Sequence, residues 1–263
     1  MESNNLFSLQ RFMMLFKQSL RINKRLIGIS LSAVAGSFFI ALILFQLASQ
    51  FRNWSERDCQ ITFEWFFFML GIVYCSFAFP AFRTKEKTMA YLMLPVSISE
   101  KFTFEILTRI IVFILFMPLM FWLVANLEGF IVHHFVPDLI NYKLSFGTVL
   151  TVFTHNNTTG WAIFGYIQIV LLAFIVAFTG ASYFSKAPLM KTIFTLSIIQ
   201  VGFILFIYLL YKGFNMKEVS FSIERIFFIK SEAEAVIFFA LSLLVVNMSL
   251  LAIAWFSLKE KEA

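Results

Sequence analysis

The chain has 263 residues, of which 60% are hydrophobic, with a mean hydropathy of +0.85 and a formal net charge of +6. Soluble domains are usually about 45–50% apolar, so this composition excludes a soluble fold, which could not bury so much apolar surface. The positive charge does not indicate a nucleic-acid partner, because the basic residues flank apolar runs, as they do at the cytoplasmic surface of a membrane.

Residues 1–25 predict an amphipathic helix that lies in the membrane interface, contacts membrane lipid and leads as an elbow into the first span. The apolar residues that follow helical spacing are Leu9, Phe12, Met13, Phe16 and Leu20, and the basic residues that occupy much of the remainder are Arg11, Lys17, Arg21, Lys24 and Arg25. The alternative interpretation of this segment is a frayed basic tail.

Six long apolar runs dominate the rest of the chain, and each predicts a transmembrane helix. A backbone in lipid must close its own hydrogen bonds, and a bilayer core needs about 20 apolar residues to cross it. The predicted spans are 26–48, 63–82, 106–127, 160–184, 192–211 and 235–257. The sequence therefore predicts an all-α polytopic membrane protein with a single transmembrane domain, residues 1–263.

The distribution of Lys and Arg predicts the orientation. With the N-terminus inside, the inner segments hold 14 of these residues and the outer loops hold 7. This bias predicts a multi-pass protein of the cytoplasmic (inner) membrane with both termini cytoplasmic. The last outer loop is the exception, because it holds four of the seven outer basic residues.

The connector 83–105, between the second and third spans, has a distinctive pattern. Met89, Leu92 and Met93 follow helical spacing, so a short amphipathic helix is predicted, and Pro95 disfavours its continuation through Leu94. Ser97 and Glu100 then form a capping box that starts a new helix running into the third span. A short cytoplasmic helix with exposed methionines suits docking onto a soluble partner, and an interfacial helix that touches only lipid and its own chain is the alternative.

The stretch Tyr91 to Lys101, reading YLMLPVSISEK, resembles the permease subunits of type-2 ATP-binding-cassette exporters. Many bacterial members carry a similar Leu-Pro-(small)-Ser-x-x-Glu-Lys pattern there, and the six-span layout with internal termini is also similar. The resemblance implies a coupling segment that meets a separate ATPase, with a homodimer or a related chain completing the permease. The residues to which it assigns this contact are Lys85, Glu86, Lys87, Met89, Tyr91, Leu92, Leu94, Pro95, Ser97, Glu100 and Lys101.

Sequence motifs for ATP binding or catalysis are not found in this chain. No phosphate loop of the form GxxxxGK[ST] occurs, so no cofactor is predicted here, and ATP and Mg²⁺ are expected on the partner ATPase. The predicted outer loop after residue 127 holds Glu128, His133, His134, Asp138 and His155, in a spacing that matches no zinc motif. An integral membrane enzyme would have to use Glu128, His133, His134 and Asp138. A non-transporting scaffold or assembly factor is the other alternative to a permease.

Neutral polar groups are expected inside the spans, notably Gln168, Gln200 and Asn247, either bridging helices or lining a path. No ionisable group is expected in a span interior. Ion-coupled carriers usually need such a group in the membrane, so this expectation favours power from an ATPase. Cys59 is predicted in an outer loop and Cys75 in a span, and neither belongs to a CxxC pair, so no disulfide framework is predicted.

Overall fold

The computed structural model describes residues 7–48, 55–93, 96–135, 144–151, 160–213 and 231–262, and all regular elements in these ranges are helical. The α-helices are α1 Leu9–Ala48, α2 Glu56–Ser76, α3 Lys85–Leu92, α4 Ile98–Ile106, α5 Val112–Phe135, α6 Phe146–Leu150, α7 Gly160–Tyr183, α8 Pro188–Gly213 and α9 Glu232–Glu262. A 3-10 turn, Pro80–Arg83, precedes α3, and a π-helical turn, Leu107–Ile111, joins α4 to α5.

Six helices are long and apolar enough to cross a membrane, as the sequence predicted: Leu9–Ala48, Glu56–Ser76, Ile98–His134, Gly160–Tyr183, Pro188–Leu209 and Ala233–Lys261. The chain therefore has the helices of a multi-pass membrane protein. Residues 9–25 are helical, but they belong to one 40-residue helix with the first span, so a separate amphipathic interfacial helix is not confirmed.

The second helix differs from its prediction at both ends. It begins seven residues earlier, at Glu56, because Ser55 and Asp58 cap it: the Ser55 amide donates to Asp58 Oδ2 at 2.8 Å. Cys59 is therefore a buried helical residue, and its prediction as an outer-loop residue was wrong. The helix ends at Ser76, because Pro80 excludes a helical Phe79, which adopts a left-handed conformation with φ 52°.

The chain divides into two compact units, and the first comprises residues 1–74 and 90–157. Its core is a cluster of phenylalanines from α1, α2 and α5. Phe121 packs against Phe38 with ring centroids 5.3 Å apart and against Phe63 at 5.0 Å, and Phe67 packs against Phe113 at 5.5 Å. These rings are buried and fix the three helices side by side.

The second unit comprises residues 75–89 and 158–263, and α7 is its most buried helix. The α7 helix is held to α9 by side-chain to carbonyl hydrogen bonds, from Thr179 to Leu250 at 3.2 Å and from Ser257 to Ser182 at 3.1 Å. It approaches α8 closely at Gly180, where a methyl group would collide with the Thr192 side chain. Small residues at helix crossings allow such approach in lipid. The prediction that 1–263 forms a single domain stays a prediction.

Candidate functional site: the segment between the second and third spans

The first half of this segment is fixed by contacts with the end of α2 and the 3-10 turn. Arg83 donates to the Ser76 carbonyl at 3.4 Å, and its guanidinium lies 4.6 Å from the centre of the Phe77 ring. Thr88, in α3, donates to the Ala81 carbonyl at 3.1 Å. The short helix α3 therefore starts from a turn that is bonded back onto its own neighbours.

The α3 helix presents methionines to its surroundings. Met89 is 61% exposed and Met93, directly after the helix, is 82% exposed, while Glu86 on the first turn is also exposed. The predicted coupling residues Lys85, Lys87, Tyr91 and Leu92 also lie in α3, whereas Leu94 and Pro95 lie outside the described residues. A short helix at this place, ending before Pro95, confirms the local prediction.

The second half starts with the predicted capping box. The Glu100 amide donates to Ser97 Oγ at 3.3 Å, and the Ser97 amide donates to Glu100 Oε2 at 3.0 Å. The box satisfies two of the free amides at the start of α4 and fixes where this helix begins. From Ile98 the chain is helical to Phe135, so the start of α4 is also the start of the third long helix.

The same carboxylate also holds the start of α1. The Ser8 amide donates to Glu100 Oε1 at 2.6 Å, and Arg11 Nη2 lies 3.1 Å from that oxygen. Glu100 is completely buried, whereas the Arg11 side chain is 25% exposed. We call Ser8, Arg11, Ser97 and Glu100 the N-terminal clamp. One carboxylate thus accepts from two helix starts, where negative charge is favourable.

Lys101 contacts the end of α3. Its side chain is 2% exposed, and its ammonium lies 4.9 Å from the centre of the Tyr91 ring on α3. This cation–π contact ties the end of α3 to the first turn of α4. Among the predicted coupling residues whose side chains the structure describes, Glu86 and Met89 are exposed, whereas Ser97, Glu100 and Lys101 are buried.

Of the three polar residues predicted inside the spans, two are buried and bonded to each other and one is exposed. Asn247 donates to Gln168 Oε1 at 2.7 Å and to the Gln168 carbonyl at 3.1 Å, and both residues are buried between α7 and α9. These two residues bridge helices. Gln200, on α8, is exposed and is not brought to the other two.

Glu128 corrects the predicted start of the outer loop after the third span. The α5 helix continues to Phe135, so Glu128, His133 and His134 are helical and do not lie in an outer loop. Glu128 is fully buried, and Gln46 Nε2 of α1 donates to its Oε2 at 3.1 Å. Glu128 lies one residue beyond the predicted third span, so the expectation that span interiors hold no ionisable group stays a prediction. The apolar pattern predicted a helix end before this acidic residue, because a local pattern carries no information about a distant partner such as Gln46.

A metal centre is not formed by the part of the chain that the structure describes, where no group of three His, Cys, Asp or Glu side chains could hold an ion. Asp138 and His155 of the predicted loop cluster lie outside the described residues. Comparison of the chain with protein-family models, curated proteins and solved structures gave no match. Function is therefore inferred from the residues and their geometry.

Proposed function

We propose that this chain is the permease subunit of an ATP-binding-cassette transporter, most simply an exporter, driven by a separate ATPase that carries ATP and Mg²⁺. The six long apolar helices supply the membrane domain that such a subunit needs. The chain acts as a homodimer or with a related permease chain, catalyses no reaction itself and binds no nucleic acid. The proposal requires both termini in the cytoplasm, in agreement with the Lys and Arg bias of the connectors.

The observation that carries the proposal is the exposure of two methionines at the short helix α3. Met89 is 61% exposed on α3, and Met93, directly after the helix, is 82% exposed. Methionine side chains adapt to a partner groove, and the contact of Tyr91 with Lys101 connects the end of α3 to the long helix that follows. The buried Lys101 supports this surface from behind and does not itself contact the ATPase.

The N-terminal part of α1 supplies the interfacial elbow. Ser8 and Gln46 lie 38 residues apart, whereas their partners Glu100 and Glu128 lie 28 residues apart on the helix from α4 to α5. Two straight parallel helices would pair residue for residue, so α1 runs at an angle to its neighbour over part of its length. This angle supports an elbow that is continuous with the first span.

Polar groups inside the bundle have structural roles in this proposal. Gln168 and Asn247 join α7 to α9, and Gln46 with Glu128 joins α1 to α5. A group bound to a neighbouring helix is a bridge in the first instance, worth on the order of 0.6 kcal/mol in a membrane. Gln200 is exposed on α8, and in this proposal it faces a path or a second permease chain.

Cysteine crosslinking tests the proposed contact. Both native cysteines are buried, so single substitutions Met89→Cys or Met93→Cys can be labelled with little background. Met190→Cys is the matched control, because Met190 is 71% exposed in the first turn of α8, next to the connector after the fourth span and on the same predicted side of the membrane. Purification from the native host should recover an ATPase crosslinked at positions 89 and 93 and not at 190.

Two results would overturn the proposal. One is recovery of no nucleotide-binding polypeptide from any of the three variants. The other is labelling of Met93→Cys by an impermeant reagent from outside the cell, which would place the segment on the wrong side of the membrane.

A further inference from the structure

Four basic residues of α1 form an exposed cluster just before the uncharged part of the first span. They are Lys17, Arg21, Lys24 and Arg25, and all four side chains are exposed. At 100° per residue they fall within an arc of about 100° and extend about 12 Å along the helix axis. They therefore present one continuous positive surface, which we call the basic face.

The basic face lacks acidic partners in the part of the chain that the structure describes, where none of its four residues forms an ion pair. The sequence holds no Asp or Glu between residues 3 and 55, so α1 carries no carboxylate that could neutralise the cluster. Arg11, one and a half turns earlier, differs because the buried Glu100 neutralises it. The structure thus separates one internally paired arginine from four outward basic residues.

Like charges at this spacing repel one another. Lys17 with Arg21, and Arg21 with Arg25, are four residues apart and are neighbours on the helix surface. An anion bound to such a face stabilises the helix, because it relieves the repulsion and accepts hydrogen bonds from several donors at once. Arginine binds phosphate with particularly good geometry.

Apolar side chains on either side of the basic face indicate where the anion comes from. Leu20 and Ile22 are 47% and 70% exposed and flank the basic arc of α1. A free phosphate or nucleotide would leave these side chains in water, whereas a phospholipid covers them with its acyl chains while its headgroup meets the cations.

We propose that the basic face is a binding site for the phosphodiester headgroups of anionic phospholipids, with Leu20 and Ile22 against the acyl chains. Lipid bound there anchors the first turns of α1, which also carry Arg11 of the N-terminal clamp. The site needs no ATPase partner, so its test is independent of the test of the transport proposal.

The test compares two triple variants of the full chain, purified in a mild zwitterionic detergent. Arg21→Gln/Lys24→Gln/Arg25→Gln removes three charges from the basic face. The control Lys186→Gln/Lys212→Gln/Lys259→Gln removes three exposed charges, one between α7 and α8, one on α8 and one on α9. Phosphatidylglycerol, phosphatidylcholine or water-soluble glycerophosphate is titrated in, and the thermal unfolding midpoint and the lipid retained per chain are measured.

Phosphatidylglycerol should raise the unfolding midpoint of the parent and of the control, and phosphatidylcholine should not. Each basic residue contributes about fivefold to binding, so the basic-face variant should need on the order of 100-fold more phosphatidylglycerol for the same shift. Without lipid this variant should unfold no earlier than the parent, because it has lost only repulsion. Lys24→Gln alone should weaken the response about fivefold, which provides a test if the triple variant does not fold.

An unchanged phosphatidylglycerol response in both the triple variant and Lys24→Gln would overturn the proposal. An equal loss in the control would also overturn it, because it would show attraction to net charge alone. A full shift with glycerophosphate would identify a soluble phosphate site and would reject the lipid.

Discussion

Replacing Glu100 should loosen two helix starts at once. Glu100→Ala removes the acceptor of the Ser97 and Ser8 amides and of the Arg11 guanidinium. Loss of a helix cap costs about 1 kcal/mol. A hydrogen bond to a charged group is worth about 1.5–3 kcal/mol, and the partial exposure of Arg11 favours the low end. The free energy of unfolding should therefore fall by about 3 kcal/mol.

The free energy of unfolding of Glu100→Gln should lie between those of the parent and of the alanine variant. The amide keeps the shape of the side chain and one acceptor oxygen. Its NH₂ group, however, is a donor, and it faces donors that the second carboxylate oxygen accepted from in the parent. The matched control is Glu105→Gln, because Glu105 is also buried in α4 and is paired with Arg109 at 3.4 Å within its own helix. This control removes a carboxylate without touching the clamp.

The assay is amide hydrogen exchange of the full chain in nanodiscs, together with denaturant unfolding. Glu100→Ala should raise the exchange of amides 9–16 and of amides 97–101 together, because one carboxylate holds both starts, whereas Glu105→Gln should leave amides 9–16 protected. Faster exchange at 97–101 with unchanged exchange at 9–16 would refute the clamp and leave only a local capping box.

Two other experiments test the packing of the second unit. Gly180→Ala should lower the free energy of unfolding by about 1–3 kcal/mol, because the added methyl group collides with Thr192. At the control position Gly28, no atom lies within 4 Å of an added methyl group. Gly28→Ala should therefore leave the free energy of unfolding unchanged or raise it by up to about 1 kcal/mol. A double-mutant cycle between Asn247→Leu and Gln168→Leu should give a coupling of about 0.6 kcal/mol from denaturant unfolding, and additive effects would show that the bridge contributes nothing.

Local features of the sequence predicted the spans and the capping box. A bilayer requires long apolar helices, so six apolar runs were sufficient to identify six spans. Ser97 and Glu100 are three residues apart, and their hydrogen bonds depend on little beyond that spacing. The earlier start of α2 was predictable in the same way, because Ser55 and Asp58 are also three residues apart and cap that helix.

Contacts between distant residues could not be predicted from these patterns. Ser8 and Glu100 are 92 residues apart, and Gln46 and Glu128 are 82 apart, so no local periodicity pairs them. A carboxylate near the end of an apolar run indicates a helix end when it is considered alone. The exception at Glu128 depends on an amide from α1, which replaces part of the hydration that the carboxylate loses on burial.

The basic residues of α1 show why the structure changes the interpretation of a charge pattern. In the sequence, Arg11 and Arg21 look equivalent, since both lie on an amphipathic stretch before a span. In the structure, Arg11 belongs to an ion pair whose carboxylate starts the third long helix, whereas Arg21 faces outward among like charges. A substitution at Arg11 is therefore a change to the support of α4, and a substitution at Arg21 is a change to the surface. Treating the five basic residues as one tail would combine two effects with different physical causes.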